Sequence, residues 1–213
     1  MIYLDNAATS FPKPRSDIKS VSDCIKKYCG NPSRSSHELS IRAGEAIFDT
    51  REKICGLLGV KDVERVVFTL NTTYALNIAI KTTITEKCHV IISDLEHNSV
   101  LRPIERLVKD LGVEYSVFNS DAADLENEIA THVRDDTRAL ISTLCSNVTG
   151  REIPLSVLSR VRDKHRIALI VDAAQAAGHT DINLTKTPCD VLCAPGHKAL
   201  FGIQGCGFAI FCD

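Results

Sequence analysis

The chain has 213 residues, of which 44% are hydrophobic and 24% charged, with a formal net charge of −2. That balance is typical of a folded globular chain and argues against disorder. Interspersed charge, few aromatics and no tryptophan give neither the basic footprint nor the stacking platform of a nucleic-acid-binding protein, and no apolar run is long enough to span a bilayer.

The opening MIYLDNAATSFPKP lacks a positive stretch followed by an apolar one, so it does not read as a secretory signal. Residues 1–15 are expected to form an irregular arm. ELSIRAGEAIFDTREKICGLLG then spaces Ala43, Ala46, Ile47, Ile54, Leu57 and Leu58 for one helical face, with Gly59 as the stop. ERVVFTL reads as a short strand, TTYALNIAIKT as a buried helix and KCHVIIS as the next strand. NSVLRPIERLVKDLG repeats the helical spacing up to Gly112, with Pro103 expected in or near the first turn. EYSVF, TRALIST, RIALIVD, CDVLCA and GFAIF supply further strands, and DLENEIATHV and PLSVLSRVRDKH further helices. Strands apolar throughout, alternating with helices, predict one α/β domain with a mainly parallel sheet of seven strands, covered by helices on both faces. The nine cysteines are odd in number and form no CxxC pair. They read as small apolar residues in a reducing compartment, rather than a disulfide framework or zinc site, and place the protein in the cytoplasm.

Several polar residues follow these strands. Asn71-Thr72-Thr73 stands between a strand and a helix, where free N–H groups and the macrodipole favour a phosphate; a plain helix cap is the alternative. Asp172 ends the strand RIALIVD, with Gln175 three residues on. A carboxylate there needs a cationic or hydrogen-bonding partner, or it caps a helix that begins after the strand. His97 lies just after HVIIS and Asn147 after RALIST, where a loop histidine and a turn asparagine are the plainer readings. His37, in NPSRSSHELS, reads as a surface residue or part of a substrate-facing loop. APGHKALFGIQGCG sets His197 and Lys198 in a loop with four glycines after CDVLCA; that lysine suits a surface charge, a phosphate contact or a covalent role.

In a parallel sheet these positions meet along one edge, where open α/β sheets bind ligands. An anion cradle, a flat partner, a buried carboxylate and a lysine together suit pyridoxal 5'-phosphate. Its phosphate takes the helix end, its ring stacks on an imidazole, its pyridinium nitrogen pairs with an aspartate, and its aldehyde forms a Schiff base with a lysine.

YLDNAATSFPKP, NPSRSSHEL, VVFTLNTTYALN, EHNSVLRP, SNVTG, VDAAQAAG and PGHKALFGIQGCG, in this order, resemble the class V aminotransferase family, most of all its cysteine desulfurase and selenocysteine lyase branch. The resemblance implies the large domain of a fold type I pyridoxal-phosphate transferase over residues 16–213. It implies Lys198 as the Schiff-base lysine, Asp172 as the pyridinium partner and Gln175 on the ring hydroxyl. His97 would stack on the ring and shuttle protons, Thr72, Thr73 and His197 would hold the phosphate, and Asn147 would lie beside cofactor and substrate. A homodimer is implied, acting on cysteine or selenocysteine and passing sulfur to a protein thiol and then to an acceptor protein. Pro195 stands where many relatives have serine, and Tyr74 where an acidic residue is common. The family's C-terminal small domain, with its persulfide-forming cysteine and substrate-binding arginine, is expected to be absent from these 213 residues, and no cysteine here takes that thiol's place. Such a chain is expected to desulfurate poorly or not at all alone. Another class V transaminase or β-lyase, or a non-catalytic remnant serving as a binding or dimerisation module, are the alternatives.

Overall fold

The computed structural model describes residues 2–34 and 36–212. Every segment expected as a strand is one: β1 (Val66–Thr69), β2 (His89–Ser93), β3 (Glu114–Phe118), β4 (Thr137–Thr143), β5 (Ala168–Asp172), β6 (Val191–Pro195) and β7 (Gly207–Phe211). They build one sheet in the order β1-β7-β6-β5-β4-β2-β3. The neighbours from β6 through β3 pair in parallel, and β7 runs antiparallel to both β6 and β1. The sheet is therefore mainly parallel, as the sequence predicts.

Alternation along each strand sends side chains to opposite faces. Ile91, Leu140, Leu169, Val171 and Leu192 join one core with Ile54, Leu58, Leu158 and Val161 from the helices α2 (Glu38–Leu58) and α6 (Leu155–His165). Val90, Ile92, Ala139, Ile141 and Ile170 join the other, with Leu76, Ile80, Ile104 and Leu107 from α3 (Thr72–Thr83) and α4 (Asn98–Leu111). Both faces of the central strands are covered, which is why those strands read as continuous apolar runs, while β1 and β3 at the edges are partly exposed. α5 (Leu125–Thr131) completes the set between β3 and β4.

Gly59 and Gly112 end α2 and α4 in the left-handed conformation, with φ of 68° and 72°, the backbone shape that glycine adopts without steric cost. Pro103 departs from expectation. It is the sixth residue of α4, one turn deeper than the first-turn placement, and buried. A helix absent from the sequence reading, α1 (Arg15–Asp23), follows the arm and continues as a π-helical turn over Cys24–Tyr28. None of its residues is buried, so it carries no core stripe for periodicity to reveal. Among the described residues no helix is long and apolar enough to cross a membrane, and all nine cysteines are free thiols.

Candidate functional site

The parallel strands end along one edge of the sheet. β1 ends there too, because Thr69 pairs with Gly207 while Pro195 pairs with the same residue from the other side. The loops after β1, β2, β4, β5 and β6 enclose a cavity of about 350 Å³. Its walls contain all eight residues selected from the sequence: Thr72, Thr73, His97, Asn147, Asp172, Gln175, His197 and Lys198. His37 lies elsewhere; its ring caps α2, accepting from Ser40 N at 3.2 Å.

At the start of α3, the cap is Asn71, whose Oδ1 accepts from Tyr74 N at 2.8 Å. That leaves the threonines available. Thr73 Oγ1 is 2.7 Å from Ser99 Oγ. Thr72 Oγ1 is buried with no partner among the described residues, an arrangement that costs free energy unless a ligand supplies the bond. The helix end reaches this position because Gly207 has no side chain: a Cβ there would lie 2.7 Å from the carbonyl carbon of Asn71.

His97 caps α4. Its Nδ1 accepts from Ser99 N at 3.1 Å and lies 2.8 Å from Ser99 Oγ. Ser99, which the sequence reading did not select, thereby links His97 to Thr73, the ring wall to the anion cradle.

Asp172 is 3% exposed, and Oδ1 accepts from Ala174 N at 2.8 Å. Burial pushes its carboxyl above the usual range, opposed by that N–H and by the positive charge of Lys198 and His97. Lys198, half-buried, makes no hydrogen bond through Nζ among the described residues. Burial pulls its amine below the usual lysine range, and Asp172 partly restores it. His197 is likewise lowered, by burial and then by Lys198 and Lys13. Gln175 Nε2 donates to Ala7 O at 2.9 Å, which holds the N-terminal arm against the cavity.

The arm also grips the lysine loop. The carbonyl of His197 accepts from Lys13 Nζ at 2.7 Å, Thr9 Oγ1 at 3.0 Å and Ser10 Oγ at 3.1 Å. Ser10 Oγ reaches the carbonyl of Lys198 at 2.8 Å. Nothing in the composition of SFPK signals this grip; only the folded arrangement shows it.

The donor set fits a phosphorylated aromatic aldehyde: an orphaned hydroxyl at a helix N-terminus, a buried acid without a cation in contact, and an amine whose charge is disfavoured. This cavity on a mainly parallel sheet is the architecture of the pyridoxal-phosphate-dependent transferases of fold type I. It superposes on the apo structure of cysteine desulfurase from Thermococcus onnurineus NA1 with a TM-score of 0.88 at 28% identity, over 99% of this chain and 53% of that one. A structure described as SspA in complex with cysteine matches with a TM-score of 0.90 at 27% identity, over 99% of this chain and 61% of that one. The sequence signature "Aminotransferase class-V" matches residues 2–213, and the chain belongs to that family. A probable cysteine desulfurase of Borreliella burgdorferi is 31% identical over 94% of this chain and 49% of its own length. The chain spans about half the length of the curated relatives it matches.

Proposed function

We propose that residues 16–213 form the cofactor-binding large domain of a cysteine desulfurase, with residues 1–15 as an arm that closes one wall of its site. In this reading the protein acts in the cytoplasm as a homodimer, takes cysteine or selenocysteine, leaves alanine, and passes the sulfur to a protein thiol and an acceptor protein. The observation that carries it is the sharing of one cavity by the Lys198 amine, the buried Asp172 carboxyl and the orphaned Thr72 hydroxyl. Relatives and solved structures named as cysteine desulfurases support the choice of reaction within the family, as does the cysteine bound in a similar structure.

Pyridoxal 5'-phosphate, when bound, supplies an aldehyde that captures amino groups and a ring that draws electrons from the substrate carbon. Lys198 would hold it covalently, and the lowered proton affinity of the amine raises the fraction able to attack a carbonyl. Asp172 would accept the ring N–H, a cationic partner that relieves its burial. Thr72, Thr73 and His197 would bind the phosphate with the N–H groups that open α3, and Gln175 the ring hydroxyl. His97 would present its ring face and move a proton at Nε2, since Nδ1 is engaged by Ser99. Asn147 would stand beside the substrate. The persulfide-forming thiol and the arginine for the substrate carboxylate are assigned to none of the 213 residues.

Adding pyridoxal 5'-phosphate to the purified chain is expected to give a visible absorption band that borohydride bleaches and Lys198→Ala abolishes. A protein that stays colourless overturns the reading. Sulfide and alanine from cysteine, set against a keto acid, separate the desulfurase from other class V activities.

A further inference from the structure

Glu96, between Leu95 and His97, has no role in the site described above, yet its carboxyl group is sealed inside the protein. Oε1 accepts from Thr143 N at 2.8 Å and forms a short hydrogen bond with Ser93 Oγ. Oε2 is buried without a partner among the described residues. The donors come from two strands, Ser93 from the end of β2 and Thr143 from the end of β4. Thr143 is the register partner of Asp172 on β5, and Leu144 N donates to Asp172 O at 3.0 Å. A continuous path therefore runs from His97 through one peptide bond to Glu96, across a hydrogen bond to Thr143, and across the sheet ladder to Asp172.

We propose that Glu96 is a positioning residue, which ties the His97 turn to the strand beside Asp172 and thereby fixes the two groups that face the cofactor ring relative to one another. The proposal rests on the cofactor reading given above. Since Oε2 is sealed rather than open to the cavity, Glu96 acts through its neighbours and not on the substrate. The tie works with the carboxyl neutral. Ionised, it would place charge on an oxygen with no donor, with Asp172 facing it from β5. His97, on its own turn, and Lys198 direct their positive charge at Asp172 instead. Burial accordingly pushes Glu96 up to about 8. Glutamine keeps an acceptor for Ser93 and Thr143 without the ionisation, whereas alanine removes the tie.

Two measurements test this. In the first, hydrogen exchange is followed in the cofactor-free chain. Glu96→Ala is expected to speed exchange at residues 93–99 and 143–147 together by roughly tenfold, the scale of one lost hydrogen bond, while Glu96→Gln does not. Unchanged exchange in both segments, or a change confined to one, overturns the proposal; should the alanine variant fail to fold, Ser93→Ala, which removes one of the two donors, is read in the same way. In the second, the visible circular dichroism of bound pyridoxal 5'-phosphate is recorded. Wild type and Glu96→Gln are expected to coincide at about pH 6, where both side chains are neutral, and to diverge at about pH 9, where only Glu96 carries charge beside Asp172. Glu96→Ala, which removes the tie, is expected to change the spectrum at both pH values, and an alanine spectrum that coincides with wild type at both overturns the proposal. If wild type takes up no cofactor, the functional reading fails, and the exchange experiment still decides whether Glu96 ties the turn to the strand.

Discussion

Replacing Glu96 by Gln removes an ionisation while leaving the side chain's shape nearly intact, so its effect on stability has a defined dependence on pH. In the unfolded chain the carboxyl titrates near the ordinary 4.5, and in the folded protein it is pushed up to about 8. A carboxyl with a raised folded value binds its proton more tightly in the native state, so stability falls as pH rises between the two values. Each pH unit in that window costs about 1.4 kcal/mol. From pH 4.5 to pH 7 the wild type is expected to lose about 3 kcal/mol through this group, and by pH 8 about 4 kcal/mol. Glutamine pays none of this. Whatever its amide costs where Oε2 has no partner is the same at every pH. Urea unfolding of both proteins from about pH 5 to pH 9 separates the two contributions, since every other titrating group is shared. The gap between the two curves is expected to shift by several kcal/mol in favour of glutamine as pH rises, then level off above pH 8. Parallel curves would refute the reasoning and show that Glu96 is ionised in the folded protein.

Thr72→Val removes a hydroxyl that is buried and unpartnered in the cofactor-free cavity. Stability without cofactor is expected to be unchanged or higher by up to about 1 kcal/mol, while affinity for pyridoxal 5'-phosphate falls by about 10–100-fold, the worth of a hydrogen bond to a charged oxygen; fluorescence titration reads the second and denaturant unfolding the first. Asp190 receives Arg162 Nε and Nη2, each at 2.8 Å, and Leu169 N at 2.7 Å. Burial raises its carboxyl, but these bonds outweigh burial and hold it below the usual range. Asp190→Asn is expected to cost about 1–3 kcal/mol near neutrality. A group with a depressed folded value loses its contribution as pH falls through that value, so the cost should shrink in acid, which paired unfolding curves will show. Lys13→Met removes the closest of the donors to the His197 carbonyl. It is expected to speed proteolysis and hydrogen exchange across residues 196–206. It should also move the His197 titration upward by NMR, because Lys13 is one of the charges that lower it, after burial and Lys198.

The central strands were legible because both their faces are covered, and strands so covered read as unbroken apolar runs, whereas the edge strands β1 and β3 are partly exposed and read as strands from their β-branched and aromatic residues. Gly59 and Gly112 marked helix ends because the left-handed backbone they adopt is nearly reserved for glycine. Pro103 was less informative. Its missing N–H is harmless in a first turn, which set the expectation, yet α4 tolerates it a turn later where the ring is buried among the helix's core residues. α1 went unread for the opposite reason: it contacts no core, and periodicity reports burial rather than helicity.

The candidate site divides along the same line. Lys198, Asp172 and His97 were selected because each follows a different apolar strand, and a parallel sheet brings such positions to one edge; for Asp172 the cost of burying an unpaired carboxylate was a further signal. Asn71, Thr72 and Thr73 were not distinguishable there, since any of them can cap a helix; only the fold shows Asn71 doing so, which leaves Thr72 unpartnered. Glu96, Ser99, Ser10 and Lys13 gave no signal. Glu96, Ser10 and Lys13 sit in a polar loop or arm and Ser99 in the first turn of α4, where a charged or hydroxyl side chain is ordinarily solvated or caps the helix. What distinguishes them is a partner distant along the chain: Thr143 for Glu96, Thr73 for Ser99, the His197–Lys198 backbone for Ser10 and the His197 carbonyl for Lys13. Sequence reasoning can locate groups whose burial is costly. The groups that hold them in place are cheap at their own positions and become visible only through long-range contacts, so a site read from sequence yields its cavity-facing residues before its supporting ones.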